Sequence, residues 1–256
     1  VLRPRPAWRR AKRMTGGDVV NKLHEFRYLT FDVVGTLIDF EAGITGCLAA
    51  IGAETGVVVD GEAALGHYRA ARYMPEATLF PDDLARVYGV IAPQLGLPQG
   101  EARAARLRDS AAAWTPFPDS VEALARLGRH ARLIAMTNAR RWAFMHFAAA
   151  LGEPFHAGFT PDETGTEKPD PAFFEQVLAF VESEGGRRDQ ILHVAQSQYH
   201  DIGVSRRLGL ANCWIERRHA QPGHGGTIAP ERFTKPDFHF TSLAALADAL
   251  EASVTA

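Results

Sequence analysis

Asp32 ends the apolar run Tyr28 to Phe31 and is followed by Val33, Val34, Gly35, Thr36 and Leu37. A carboxylate at the end of a strand lies where open α/β sheets bind ligands, in the crevice beyond the strands' carboxyl ends where strand order reverses. An acid there can serve as a nucleophile. Gly35 lets the chain turn sharply, and Thr36 sets a hydroxyl and a backbone N–H beside the acid. The plain alternative is a strand-ending Asp that caps the next turn. Three later positions weigh against it: Leu133 to Met136 runs into Thr137 and Asn138, Lys168 follows the segment Phe159 to Glu167, and Ile191 to Ala195 leads to Gln196, Ser197 and Asp201. Each reads as the end of a further strand, in the order Asp, Thr, Lys, Asp. Taken singly, Lys168 or Asp201 is a surface ion pair; taken as an ordered set, they are candidates for one site.

Helices must separate those strands. Apolar residues recur at helical spacing through Ile44 to Ile51, Ala63 to Tyr73, Leu84 to Leu95 and Ala102 to Trp114, with turn signals at Gly56, Pro75, Pro81 and Pro98 between them. Residues 43–114 therefore read as four helices inserted between the first and second strands, a helical cap. From Pro116 onward helix and strand alternate: helices over Ser120 to Leu127 and Arg140 to Leu151, strands over Arg132 to Met136 and Ala157 to Thr160. Next come a helix opened by Asp170 and Pro171, a strand over Ile191 to Ala195, a helix over Ile202 to Leu208 and a strand over Asn212 to Ile215. Alternation of this kind implies a parallel sheet with helices on both faces, an α/β, Rossmann-like core. The core is assigned to 26–42 and 115–256. The segment from Arg217 to Pro236, rich in Gly, Pro and His, reads as an exposed connector, and Thr241 or Ser242 caps a last helix ending near Leu250.

Composition narrows the function classes. A chain of 256 residues with 46% hydrophobic content can bury one large core and a smaller second unit, and a net charge of −2 gives no general attraction to nucleic acid or anionic membrane. Cys47 and Cys213 form no metal-ligand or redox pattern and are expected to be reduced core residues, consistent with a cytoplasmic setting. No run of 18 apolar residues suggests a membrane span. Residues 1–25 read as a basic, disordered extension; Arg3, Arg5, Arg9, Arg10, Lys12 and Arg13 precede Met14 with no acid among them, a leader in preference to a polyanion-binding arm.

The four motifs, with the wording Asp-x-x-Gly-Thr-Leu, Lys-Pro-Asp-Pro and Cys-Trp-Ile-Glu-Arg, resemble the haloacid dehalogenase superfamily over about Tyr28 to Leu250, and within it the L-2-haloacid dehalogenase branch. The resemblance implies that Asp32 is the nucleophile, forming a covalent intermediate that water hydrolyses. Lys168 would keep Asp32 ionised, Thr137 and Asn138 would donate hydrogen bonds to substrate oxygens or the leaving group, and Asp201 would anchor Lys168 or orient water. Thr36 belongs to the same catalytic set. It also implies a small-molecule carboxylate substrate and a homodimer.

Departures from the phosphatase pattern favour halide displacement. Phosphatases of the superfamily carry a second Asp two residues after the nucleophile to protonate the leaving alkoxide, where this chain has Val34, and an acid to bind Mg²⁺ where it has Gln196. Asp32 and Asp201 alone would hold Mg²⁺ poorly. Halide leaves without a proton, so the expected reaction is metal-free hydrolysis of a 2-halocarboxylate with no cofactor. The alternatives are a phosphatase with Mg²⁺ at Asp32 and Asp201, a hydrolase of a strained-ring acid, and a carboxylate-binding protein without catalysis. Arg69, in Tyr68-Arg69-Ala70-Ala71-Arg72, is similar to the Trp-Arg pair of the dehalogenase cap and would bind the substrate carboxylate; equally, Arg69 and Arg72 make a solvated helical face. Val34, Gln196 and Gln198 stand where dehalogenases carry Tyr, Ser and Asn, and together with Ser197 would shape the pocket. Trp114, Trp142, Phe117 and Phe144 either cradle a halide or belong to the core.

Overall fold

A computed structural model describes residues 22–255. Six parallel strands form one sheet: β1 (Tyr28–Asp32), β2 (Arg132–Met136), β3 (Ala157–Phe159), β4 (Ile191–Ala195), β5 (Ala211–Ile215) and β6 (Phe238–Phe240). Their spatial order is β3-β2-β1-β4-β5-β6, with Asp32 level with Met136 on β2 and Phe31 level with Val194 on β4. Strand order therefore reverses at β1 and β4, and the crevice beyond their ends is where such a sheet offers a site.

Both sheet faces are covered, as the parallel arrangement requires. Leu29, Phe31, Leu133, Ala135, Leu192, Val194, Cys213 and Ile215 pack on one face with apolar residues of α5 (Ser120–Leu127), α6 (Arg141–Ala150) and α10 (Leu243–Thr255). Tyr28, Ile134, Met136 and Ile191 meet α8 (Pro171–Ser183) and α9 (Gly203–Arg207) on the other. The alternation of side chains along each strand produces this division. Cys213 is buried and Cys47 half-buried, both as free thiols.

Between β1 and β2 lie four helices: α1 (Phe40–Ala53), α2 (Gly61–Arg72), α3 (Leu84–Ile91) and α4 (Glu101–Asp109). Asp39 and Asp60 cap α1 and α2, accepting from Ala42 N and Ala63 N. The first helix begins at Phe40, inside the 26–42 segment assigned to the core. The helices read over Leu84 to Leu95 and Ala102 to Trp114 are shorter, giving way to 3₁₀ turns at Pro93–Leu95 and Ser110–Ala113; Pro93 has no N–H to continue the ladder.

Three other sequence expectations change, and one strand, β6, has no counterpart in the sequence reading. Lys168 does not end a strand: β3 stops at Phe159 and a short helix, α7 (Pro161–Thr164), intervenes before the loop that carries it. Strand β6 is too short for its alternation to register. The extension assigned to 1–25 includes a 3₁₀ turn, Leu23–Glu25, with Leu23 fully buried; Arg3, Arg5, Arg9, Arg10, Lys12 and Arg13 lie outside the described residues. Finally, 217–236 is no simple exposed connector. Arg217 pairs with Asp119 at 2.8 Å and donates to Thr36 O at 2.9 Å, Arg218 bridges Glu41 and Glu62, and Gly226 N donates to Glu41 at 2.7 Å. No helix among the described residues is long and apolar enough to cross a membrane.

Candidate active site

At the ends of β1 and β4, Lys168 Nζ donates to Asp32 Oδ1 at 2.8 Å and to Asp201 Oδ1 at 2.7 Å. One ammonium therefore serves two buried carboxylates. Thr36 Oγ1 donates to Asp32 Oδ2 at 2.6 Å and accepts from Gln196 N at 2.8 Å, tying the β1 turn to the end of β4. Gly35 permits that turn with φ of +90° while its N–H donates to Ile38 O. Behind Asp201, His193 Nε2 lies 3.1 Å from Oδ1 and its Nδ1 lies 2.9 Å from Thr30 Oγ1. A carboxylate only accepts, so Nε2 carries the proton and Nδ1 accepts from the Thr30 hydroxyl.

These contacts set the charge states. Burial raises the Asp32 carboxyl above its usual range, against the pull of Lys168 and with the Asp201 charge adding to the rise. For Asp201, burial also opposes ionisation, but Lys168 and His193 outweigh it and hold the carboxyl down at about 2. Burial works against the Lys168 charge, yet Asp201 and Asp32 together raise it, so the ammonium persists.

Asn138 has a structural job besides the donor role expected of it. Its Oδ1 accepts from Lys168 N at 2.8 Å and its Nδ2 donates to Lys168 O at 2.7 Å. The amide thereby holds the Lys168 loop in place, and since Nδ2 carries a second hydrogen and Asn138 lines the cavity, a donor remains for a substrate oxygen. Thr137, fully buried, accepts from Ala139 N through Oγ1 and keeps its own hydroxyl proton for use.

Asp32, Thr137, Lys168 and Asp201 lie along a cavity of about 270 Å³ with Val34, Gln196 and Ser197. Gln198 lies outside it, its Oε1 accepting from Thr234 N at 3.0 Å. Arg69 is also outside, because its guanidinium donates to Gly225 O in the long loop. The guanidinium on the cavity wall is that of Arg72, one turn further along α2. It donates to Asp83 Oδ2 at 2.6 Å and to Thr78 O at 2.9 Å and lies 5.7 Å from the Phe80 ring centroid. Arg86 binds the same carboxylate at 2.6 Å, so two cations share one acid there and keep Asp83 down at about 2 despite its burial.

Phe40, Tyr68, Tyr73, Phe80 and Tyr199 supply the aromatic wall. The four aromatics named from the sequence are used elsewhere. Trp114 packs with Phe40, Phe80 and Phe147, Trp142 donates to Asp82, Phe117 lies beneath Arg217, and Phe144 packs on Phe155. Asn138 lines the cavity too, and so do Glu167, His200, Gly226 and Thr227; sequence reasoning missed these last four because nothing local marks which loop residues converge.

The donor set does not suit Mg²⁺. Both Asp32 oxygens are engaged by Lys168 and Thr36, position 196 offers an amide whose oxygen lies 3.3 Å from Thr227 Oγ1, and Val34 has no donor side chain. Mg²⁺ is usually held by one or two carboxylates with waters filling its six oxygen positions; beside Asp32 the carboxylate oxygen without a partner among the described residues is Asp201 Oδ2, fully buried, and the other carboxylate on the cavity lining is that of Glu167. Among the described residues no group of three or more His, Cys, Asp or Glu side chains is placed to hold a metal.

Residues 26–195 match the family described as haloacid dehalogenase-like hydrolases. No curated protein matches by sequence. Among solved structures, a defluorinating L-2-haloacid dehalogenase, Rha0230, is similar with a TM-score of 0.70 at 22% identity, over 88% of this chain and 95% of that one. L-2-haloacid dehalogenase from Xanthobacter autotrophicus gives 0.67 at 21% identity over 88% and 98%, and YfnB from Bacillus subtilis, in a magnesium-bound form, gives 0.70 at 17% over 88% and 99%. At such identities the likeness is one of fold.

Proposed function

Because this chain belongs to the haloacid dehalogenase-like hydrolases, matched over 26–195, we propose that it hydrolyses the carbon–halogen bond of a small 2-halocarboxylate without a metal. The observation that carries this reading is the Asp32 carboxylate held by Lys168 at 2.8 Å on the lining of a small cavity that Val34 and Arg72 also line. The Asp32 carboxylate attacks the α-carbon, a carbon–oxygen bond forms as the carbon–halogen bond breaks, and the halide leaves with the bonding pair. No proton is needed, so an isopropyl group at position 34 is no handicap. Arg72 pairs with the substrate carboxylate, and the aromatic wall, with α1 to α4 acting as a cap, keeps bulk water from a weak nucleophile. Water then cleaves the Asp32 ester at its carbonyl carbon and releases the hydroxycarboxylate.

The test is halide release from (S)-2-chloropropionate, 2-bromopropionate and fluoroacetate, with and without a chelator, for the native protein and Asp32→Asn. Chelator-resistant release that falls by at least about 10⁴-fold in the variant is the expected result. A native protein that frees no halide, but frees phosphate from esters only with Mg²⁺, overturns the reading.

A further inference from the structure

Two side chains stand between the Asp32 cavity and a second one. Phe40 and Gln196 line both that cavity and a neighbour of about 520 Å³, whose apolar lining includes Leu65 and Phe117. The Phe40 ring bridges the interval edge to edge. A Cβ on Gly226, which lines the first cavity, would lie 2.6 Å from Cε2 and 2.9 Å from Cζ of that ring. A Cβ on Gly35, which lines the second, would lie 3.1 Å from Cε1 and 3.3 Å from Cδ1. Gln196 spans the same interval, its Oε1 lying 3.3 Å from Thr227 Oγ1 on the first side and 3.7 Å from a Cβ on Gly35 on the second.

This partition stands against the turn that follows Asp32. Thr36 Oγ1 donates to Asp32 Oδ2 at 2.6 Å and accepts from Gln196 N at 2.8 Å, so position 196 is two hydrogen bonds from the carboxylate. The other side is pinned as well. Glu41, next to Phe40 in the chain, accepts from Gly226 N at 2.7 Å and from Arg218, which also binds Glu62 at 2.9 Å. The Phe40 ring is 6% exposed and lies 6.0 Å from Tyr68 and 6.5 Å from Trp114, centroid to centroid. A ring gripped on both edges in a close-packed interior leaves no room for a second group. Beyond it, Arg218 is matched by Glu41 and Glu62, while Asp39 and Asp60 accept from the N-terminal amides of α1 and α2.

We propose that Phe40 and Gln196 form the end wall of the substrate pocket and set its limit on chain length, restricting the protein to 2-halocarboxylates with a short side chain. The inference rests on the haloacid reading given above. The wall stops an α-substituent from growing past the turn that carries Gly35 and Thr36. A butyl group takes up less room than the benzyl group of Phe40, so removing the ring opens the interval between Gly226 and Gly35 to it, with Leu65 and Phe117 beyond. Each methylene that an apolar pocket accepts or refuses changes kcat/KM about 10-fold or more, so a single side chain can decide the substrate class.

The experiment measures kcat/KM for halide release from 2-bromopropionate and 2-bromohexanoate in the full native chain, Phe40→Ala and Gln196→Ala. Binding of the unreactive acids lactate and 2-hydroxyhexanoate is followed in parallel by calorimetry. The native chain is expected to favour the short bromoacid by about 10²-fold or more. Phe40→Ala is expected to cut that preference about 10- to 100-fold and Gln196→Ala about 3- to 10-fold, and the binding ratios are expected to move the same way. The Asp39 cap does not use the Phe40 ring, and Gln196 serves Thr36 and Trp214 through its backbone, so Gln196→Ala decides the matter if loss of the ring unfolds the chain. Unchanged ratios in the folded variants, or a native chain that turns over both bromoacids equally, overturn the wall. A native chain that frees no halide sinks the haloacid reading; the hydroxyacid binding ratios then judge the wall separately, a shift toward the longer acid supporting it and no shift overturning it.

Discussion

Two charge clusters reach the cavity and are built on opposite ratios, one buried in the core and the other centred on a buried carboxylate with half-buried guanidinia, of which Arg72 lines the cavity. In the core, one ammonium, Lys168, serves two carboxylates, Asp32 and Asp201. In the helical insertion, two guanidinia, Arg72 and Arg86, serve one carboxylate, Asp83. The first cluster has negative charge to spare, which suits a nucleophile; the second has positive charge to spare, which suits an anionic substrate group. A buried ion pair adds little net stability once desolvation is counted, whereas removing one partner strands a charge. The two clusters are therefore better understood as placing charge for chemistry than as holding the fold together, and each can be broken separately.

The largest effect is expected from Lys168→Met, which leaves two carboxylates without their shared cation. Stability should fall by about 3 to 5 kcal/mol, measured by urea unfolding, and halide release should be lost; a variant as stable as the native chain would mean the core cluster is not electrostatically coupled. Arg72→Ala leaves Asp83 with Arg86 and should spare the fold. It is expected to raise KM for a carboxylate substrate about 10- to 100-fold, with a smaller change in kcat, in steady-state assays of halide release.

Acid sharpens the contrast at the third level. Asp83 has a folded-state pKa of about 2, below its unfolded value near 4. Its contribution is therefore present above about pH 4 and is lost as pH falls toward 2, amounting to about 2 kcal/mol. Asp83→Asn should flatten that part of a stability profile followed by circular dichroism between pH 5 and 2. The smallest effect belongs to Arg69→Ala. Its guanidinium holds the Gly225 carbonyl outside the cavity, so a KM change under about 3-fold is expected; an effect equal to that of Arg72→Ala would return the carboxylate-binding role to Arg69.

The two arginines also show where sequence reading stops. Both lie three residues apart on one helix, and the pattern alone makes them near equals. Their roles diverge because Ala64, Leu65, Tyr68 and Ala71 of α2 are buried, which fixes the rotation of the helix and turns Arg72 to the cavity and Arg69 to the loop. Asn138 is a second case. Its place after β2 was legible, but its reciprocal hydrogen bonds to the Lys168 backbone join residues thirty positions apart, and local spacing carries no information about such a pairing.

By itself the sequence determined the parallel α/β order, the helical insertion and the strand ends that carry Asp32, Thr137 and Gln196, since hydrophobic periodicity and turn residues act over a few positions. The tertiary structure alone decided that Lys168, reached through a loop and not a strand end, sits between two acids, that Arg72 and Glu167 line the same cavity as Asp32, and that Gly226 and Thr227 bring the middle of the 217–236 segment to that lining. Those outcomes depend on helix rotation and loop path, which are set by packing between elements distant in the chain.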